Sequence, residues 1–94
     1  MNIQHEEHGK RGAFFIEKDG EWIAEMTYVR SGENEITIDH TEIDESLRGQ
    51  GIGYDLIEEA VKFARSETLK IKATCPFAKK VLERSEEYDD VKAA

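Results

Sequence analysis

The chain has 94 residues, of which 38% are hydrophobic and 36% are charged, and 13 basic against 21 acidic residues give it a net charge of −8. That composition suffices for one small core, so a single domain over residues 1–94 is expected. The acidic charge disfavours binding to a phosphate backbone, and no apolar run reaches the roughly 18 residues of a membrane span.

The first half of the chain predicts strands. Residues 13–18 precede Asp19-Gly20, a strong hairpin signal, and residues 21–30 alternate between apolar and polar. A third strand is predicted over residues 35–43, and a short edge strand over residues 3–6. Together they predict an antiparallel meander.

Alternation along these strands also predicts which side chains share a face. The predicted core face of the second strand comprises Trp22, Ala24, Met26 and Tyr28. In the third strand, one face is predicted to comprise Ile36, Ile38 and His40, and the other Thr37, Asp39 and Thr41.

The second half changes to helical spacing. Apolar residues three and four apart predict a helix over residues 51–67. A strand is predicted over residues 69–75, ending at Pro76, and a short helix over residues 77–86. Residues 87–94 are polar and are expected to order only in part. Because a helical crossover joins strands in parallel, the expected fold is α+β, with an antiparallel meander leading into a parallel strand pair and one long helix on the sheet.

A glycine-rich loop, Arg48-Gly49-Gln50-Gly51-Ile52-Gly53, lies where strand gives way to helix. Glycines there expose backbone amides at a helix N-terminus, whose partial positive charge favours a phosphate. Such glycines can also merely separate two elements, but three at alternate positions after an arginine favour an anion site. A dinucleotide fingerprint is excluded because Tyr54 occupies its last glycine position, and a P-loop is excluded because Gly-Lys-Ser/Thr is absent.

The loop resembles a known signature. Arg48-x-x-Gly51-x-Gly53 is similar to the Gln/Arg-x-x-Gly-x-Gly/Ala pattern of the GNAT superfamily of N-acetyltransferases. With the segment Cys75-Pro76-Phe77-Ala78, residues 35–82 resemble the short single-domain acetyltransferase-like subfamily. The resemblance implies a minimal GNAT-like fold and acetyl-coenzyme A as co-substrate.

The resemblance also implies roles for individual residues. Loop amides would meet the pyrophosphate, and the preceding strand would lie beside the pantetheine arm. The implied cofactor-binding residues are Thr41, Ile43, Arg48, Gly49, Gln50, Gly51, Ile52 and Gly53. His40 is the implied general base and Cys75 the implied acetyl-accepting nucleophile, and the two are expected to converge near the thioester. A structural histidine and a buried cysteine are the alternative interpretations.

The implied activity is transfer of an acetyl group to an amine, either directly with His40 as base or through Cys75. Typical members have one or two helices between their first two strands, where this chain has only residues 8–12. The absence of these helices is compatible with an open site that admits the amine of a protein, and also with reduced or absent activity. The acceptor can be either a protein amine or a small-molecule amine. The alternatives are a coenzyme-A-binding module with little or no catalysis and an interaction domain without a cofactor.

The partners and location follow from composition. We expect a cytoplasmic monomer or weak dimer that binds neither nucleic acid nor membrane. His5 and His8 lie near two glutamates but lack ligand spacing on a rigid element, so no metal site is expected.

Overall fold

The computed structural model describes residues 2–93, and the predicted α+β fold is confirmed. The elements in these residues are β1 (Gln4–His8), β2 (Arg11–Lys18), β3 (Glu21–Gly32), β4 (Glu35–Ile43), α1 (Ile52–Glu67), β5 (Lys70–Ala73) and α2 (Pro76–Arg84), with short 3₁₀ turns at Glu45–Leu47 and Glu86–Tyr88. The sheet has the order β1-β2-β3-β4-β5, antiparallel through β4, and β5 is parallel to β4.

Both helices contribute to one core on a single face of the sheet. Apolar residues of α1 at helical spacing pack against the inward side chains of β2, β3 and β4. The sheet contributes Phe14, Ile16, Ala24, Met26, Tyr28, Ile36 and Ile38, and α1 contributes Leu56, Ile57, Ala60, Val61 and Ala64. This face is called the helix face below, and the opposite one the outer face. Within residues 2–93, neither helix combines the length and apolar character needed to cross a membrane.

A β-bulge in β4 changes the alternation of that strand. Thr27 pairs with His40, whereas the next residue, Tyr28, pairs with Ile38, so Asp39 is an extra residue of β4. Asp39 accepts hydrogen bonds from Thr27 Oγ1 (2.6 Å) and Arg11 Nη2 (3.0 Å). The bulge is therefore held by polar contacts on the outer face.

The bulge reverses the faces predicted for the end of β4. Thr41 is the cross-strand partner of Met26, and Ile43 that of Ala24, so both lie on the helix face. His40 lies on the outer face. The prediction that His40 shares a face with Ile36 and Ile38, with Thr41 opposite, is wrong because one inserted residue shifts the period by one.

A second bulge corrects the predicted position of Trp22. Ile16 pairs with Ala24 but Glu17 pairs with Trp22, so Ile23 is an extra residue of β3. Trp22 consequently lies on the outer face, where it is 38% exposed, rather than in the core.

The parallel pair of β4 and β5 separates halfway along β4. Pairing ends at Ile38 and Ala73, and the carbonyl of Ile38 accepts hydrogen bonds from both Thr74 N (3.0 Å) and Cys75 N (3.2 Å). From Asp39 onward, β4 has no β5 residue beside it in the described structure. Its backbone groups on that side are left for another partner.

The C-terminal residues are ordered through position 93, and the prediction of partial order is wrong for residues 87–93. Tyr88 and Val91 are buried in the core. Ile71 N donates to Val91 O, and Ala93 N donates to Ile71 O (3.0 Å), so the chain covers the free edge of β5. Residue 94 lies outside the described residues.

Candidate functional site

The glycine loop is positioned by the turn that precedes it. Asp44 caps the 3₁₀ turn by accepting a hydrogen bond from Ser46 N (3.1 Å), and hydrogen bonds from Ser46 lower the pKa of the Asp44 carboxyl. Leu47, within this turn, is buried in the core. The turn thus fixes the direction in which the chain enters the loop.

Two glycines of the loop have backbone angles that favour glycine. Gly49 has φ of 83° and Gly51 has φ of 74°, and a Cβ on either would find no atom within 4 Å. The space above the loop is therefore open. Gly51 is also the N-cap of α1 and provides no side-chain cap, so the first-turn amides of α1 are directed at this space. An uncapped helix N-terminus of this kind favours an anion.

A cleft of about 560 Å³ lies between the unpaired edge of β4 and the start of α1. Its lining residues are Thr41, Glu42, Ile43, Leu47, Arg48, Gly49, Gly51, Ile52, Gly53, Tyr54 and Phe77. The cleft therefore includes every predicted cofactor residue except Gln50, whose Nε2 donates instead to Ser46 O (3.3 Å).

An aromatic wall of the cleft was not predicted from the sequence. Tyr54, which is 54% exposed, packs edge-to-face on Phe77 with 5.7 Å between ring centroids. The Phe77 ring lies so close to Gly53 that a Cβ there would be 2.6 Å from Phe77 Cζ. The available signals were the position of Tyr54 in the first turn of α1 and that of Phe77 just after Pro76. Gly53 therefore allows α1 and α2 to approach each other.

Cys75 lies at the inner end of the cleft, where β4 and β5 separate. It is the N-cap of α2 and only 6% exposed. Its Sγ is 3.4 Å from the Oγ1 of Thr41, a residue that lines the cleft. The thiol thus lies next to the cleft on the helix face.

His40 lies on the other side of β4 from Cys75. Its side chain is 54% exposed, and Nε2 is 3.4 Å from Oε2 of Glu42. The imidazole and the thiol form no hydrogen bond with each other. His40 and Cys75, which were expected to converge, therefore lie on opposite faces of the sheet beside the same unpaired stretch of β4.

Comparison with known proteins identifies the family. Residues 13–91 match the family described as GCN5-related N-acetyl-transferase, and the chain belongs to this GNAT family. The recognition made from Arg48, Gly51 and Gly53 is confirmed.

Relatives and solved structures agree with this membership. Protein NATD1 of Gallus gallus is 31% identical over 84 residues, covering 88% of this chain and 76% of that protein. A GCN5-like protein from Staphylococcus aureus, assigned as an N-acetyltransferase, is 36% identical with a TM-score of 0.74, covering 99% of this chain and 90% of that chain. A GNAT acetyltransferase of Elizabethkingia anophelis with acetyl-CoA bound shares the fold, with 15% identity and a TM-score of 0.62 over 80% of this chain and 52% of that one.

Proposed function

We propose that this protein binds acetyl-coenzyme A in the cleft and transfers the acetyl group to an amine. The observation that carries the proposal is the uncapped N-terminus of α1, with Gly49 and Gly51 in left-handed conformations, facing the unpaired edge of β4. This arrangement combines donors for a phosphate with a free strand edge for an extended, amide-containing chain.

The residues present fit the parts of this co-substrate. First-turn amides of α1 and the guanidinium of Arg48, which lines the cleft, would hold the pyrophosphate. Backbone groups of β4 from Thr41 to Ile43 would pair with the amides of the pantetheine arm. The cleft volume of about 560 Å³ lies within the ordinary range of small-molecule sites.

His40 would act as the general base. Acetyl-coenzyme A supplies an acetyl group activated as a thioester. The acceptor nitrogen bonds to the carbonyl carbon as the carbon–sulfur bond breaks, the amine proton passes to His40, and coenzyme A leaves as the thiolate. Because His40 lies on the outer face and the cleft on the helix face, the amine would approach from the outer face through the gap between β4 and β5.

An alternative route uses Cys75 as the nucleophile. Cys75 is the N-cap of the nine-residue helix α2. The Cys75 thiol would give up its proton, and its sulfur would bond to the acetyl carbonyl carbon as the carbon–sulfur bond to coenzyme A breaks; coenzyme A would leave and take up that proton. The amine nitrogen would then bond to the acetyl carbon as the bond to Cys75 breaks, and Cys75 would recover a proton from the amine. Contact with Thr41 at the cleft favours this route, and low exposure opposes it.

A set of variants tests the proposal and separates the routes. Acetyl-coenzyme A and coenzyme A are titrated by calorimetry, and thiol release is followed with a panel of amines. His40→Gln is expected to lower kcat by about 10²- to 10⁴-fold with acetyl-coenzyme A affinity unchanged. Glu33→Gln, at an exposed residue of the turn between β3 and β4 and outside the cleft, is the control and should keep wild-type activity. If Cys75→Ala abolishes transfer and acetylated Cys75 is found in the wild type, the cysteine route replaces the direct one.

Two results would contradict the proposed acetyltransferase activity. Binding of acetyl-coenzyme A without thiol release from any amine would make the protein a coenzyme-A-binding module. No binding at millimolar acetyl-coenzyme A would refute the proposal altogether.

A further inference from the structure

The outer face of the sheet is uncovered by either helix, yet it has a small apolar cluster. Ala13 and Phe15 are 5% and 6% exposed but lie outside the main core. Trp22 covers Phe15 in a parallel stack, with ring centroids 4.1 Å apart and an interplanar angle of 11°. Trp22 itself remains 38% exposed.

A shallow cavity of about 180 Å³ opens beside Trp22. Trp22 and Thr27 form its sides together with the buried Ala13, and Glu6 and Arg11 are among the residues at its border. A cavity of about 150 Å³ holds a benzene molecule, so this one can receive one aliphatic side chain.

Two carboxylates lie on the same face of the sheet as this cavity, in an arrangement that does not favour folding. Glu25 and Glu42 are cross-strand partners on the outer face. Like charges directly opposite each other destabilise a sheet. Within residues 2–93, neither carboxylate pairs with a lysine or arginine, and Glu42 contacts only the imidazole of His40. A cation from another molecule would relieve the repulsion.

These features form one continuous surface, which we call the outer patch: Trp22, Glu25, Thr27, His40 and Glu42. Thr27 pairs with His40 across the strands, and Glu25 pairs with Glu42 beside them. Side chains of cross-strand partners start about 5 Å apart. The apolar cavity, the imidazole and the two carboxylates are therefore within reach of one short peptide.

We propose that the outer patch docks a basic segment of a partner protein, with a lysine at Glu25, Glu42 and His40 and a neighbouring aliphatic side chain in the cavity beside Trp22. That this lysine is the acetyl acceptor rests on the proposed function, whereas the docking does not. A polyamine would leave the apolar cavity unused. A second copy of this chain would bring another net charge of −8 against an acidic surface.

Trp22 is the sole tryptophan of the sequence, so its fluorescence reports directly on the outer patch. The probe is the capped peptide Gly-Leu-Lys-Gly-Arg-Lys. One comparison peptide replaces Leu by Gly, a second replaces the three basic residues by Glu, and spermidine represents a small amine. We expect a saturable change in Trp22 emission with the first peptide, a weaker affinity without Leu, and no binding of the acidic peptide.

The charge contribution is tested by the double variant Glu25→Gln/Glu42→Gln, which is expected to weaken peptide binding about fivefold to tenfold. Glu33→Gln/Glu87→Gln removes the same charge at two exposed sites outside the patch and should leave binding unchanged. Equal affinity of the patch variant and the wild type would overturn the proposal. So would equal binding of the peptide lacking Leu, or of spermidine.

Calorimetry with acetyl-coenzyme A on the same protein distinguishes the two proposals. Peptide binding without acetyl-coenzyme A binding would support the docking surface and refute the proposed function. Acetyl-coenzyme A binding with no response of Trp22 to the peptide would refute the docking surface alone.

Discussion

Gly51 provides the sharpest test of the anion site. Its φ of 74° is left-handed, and a Cβ would meet no atom within 4 Å, so aspartate and asparagine both fit sterically. These two residues tolerate the left-handed region better than others, and each is expected to cost about 1 kcal/mol of folding free energy. For a domain of this size that corresponds to a Tm lower by about 4–8 °C. The fold should survive in both variants.

The two variants should differ strongly in binding. Gly51→Asp introduces a carboxylate at the N-cap of α1, where the pyrophosphate would lie. At about 5 Å and an effective dielectric constant of about 20, repulsion between two unit charges is about 3 kcal/mol, or roughly a hundredfold in Kd. Gly51→Asn has the same shape without the charge. We therefore expect a loss of about two orders of magnitude for aspartate and less than about fivefold for asparagine.

The assay is calorimetric titration with acetyl-coenzyme A at physiological ionic strength, with thermal unfolding of each variant followed by circular dichroism. Equal Tm values for the two variants would show that backbone strain is matched. If Gly51→Asp binds as tightly as Gly51→Asn, no anion lies at this helix N-terminus and the reasoning is refuted. If both variants lose binding equally, the loop conformation rather than charge determines affinity.

Three further predictions concern stability. Gly12→Ala is expected to lower the free energy of unfolding by about 2 kcal/mol in chemical denaturation, because its Cβ would lie 2.3 Å from Cζ of the fully buried Tyr28. Burial lowers the pKa of His5 below its ordinary 6.5, so NMR should give a titration midpoint under 6.5. The unfolded chain then binds more protons, and stability should fall as pH decreases from 6.5. A hydrogen bond to Glu58 and burial raise the pKa of Tyr88 to about 12. The contribution of this hydroxyl to the free energy of unfolding is therefore present below pH 10 and should be lost between pH 10 and 12. Tyr88→Phe should remove this pH dependence of stability.

Each of these predictions has a result that would contradict it. Gly9→Ala introduces left-handed strain without a steric contact, so it should cost less than Gly12→Ala; the reverse order would contradict the packing argument. A His5 midpoint at or above 6.5 would contradict desolvation of its ring by the contacts with Phe14 and Phe63. Parallel alkaline unfolding curves for Tyr88→Phe and the wild type would exclude the contribution of Tyr88.

The sequence was sufficient for features that repeat over several residues or require glycine. Helix α1 was predicted to within one residue because its apolar side chains recur every three to four positions. The glycine loop before α1 was predicted because its glycines stand at alternate positions just where the helical spacing begins, and Gly49 and Gly51 do adopt left-handed angles. Both signals are local, so no tertiary information was required.

The faces of β4 could not be predicted in the same way. Asp39 is the extra residue of a bulge, but nothing in the alternating sequence around it distinguishes an inserted residue from a paired one. The bulge is set by hydrogen bonds from Thr27 and Arg11, which are 12 and 28 positions away. Likewise, the C-terminal residues have few apolar side chains, and their order comes from burial of Tyr88 and Val91 and from backbone bonds to Ile71.

The separation of β4 from β5 at Ile38 has a consequence for how this family can diverge. A ligand held by strand-edge amides and by the amides of a glycine loop contacts atoms that every residue type possesses. Side-chain replacement along Thr41 to Ile43 would therefore leave much of that recognition intact, and an alanine scan would overlook it. Recognition by the backbone would be detected by substitutions that alter the backbone itself, either at the loop glycines or by proline in β4. Outer-face residues other than His40 and those that hold the bulge can meanwhile change, so the proposed co-substrate would be retained while acceptors are exchanged.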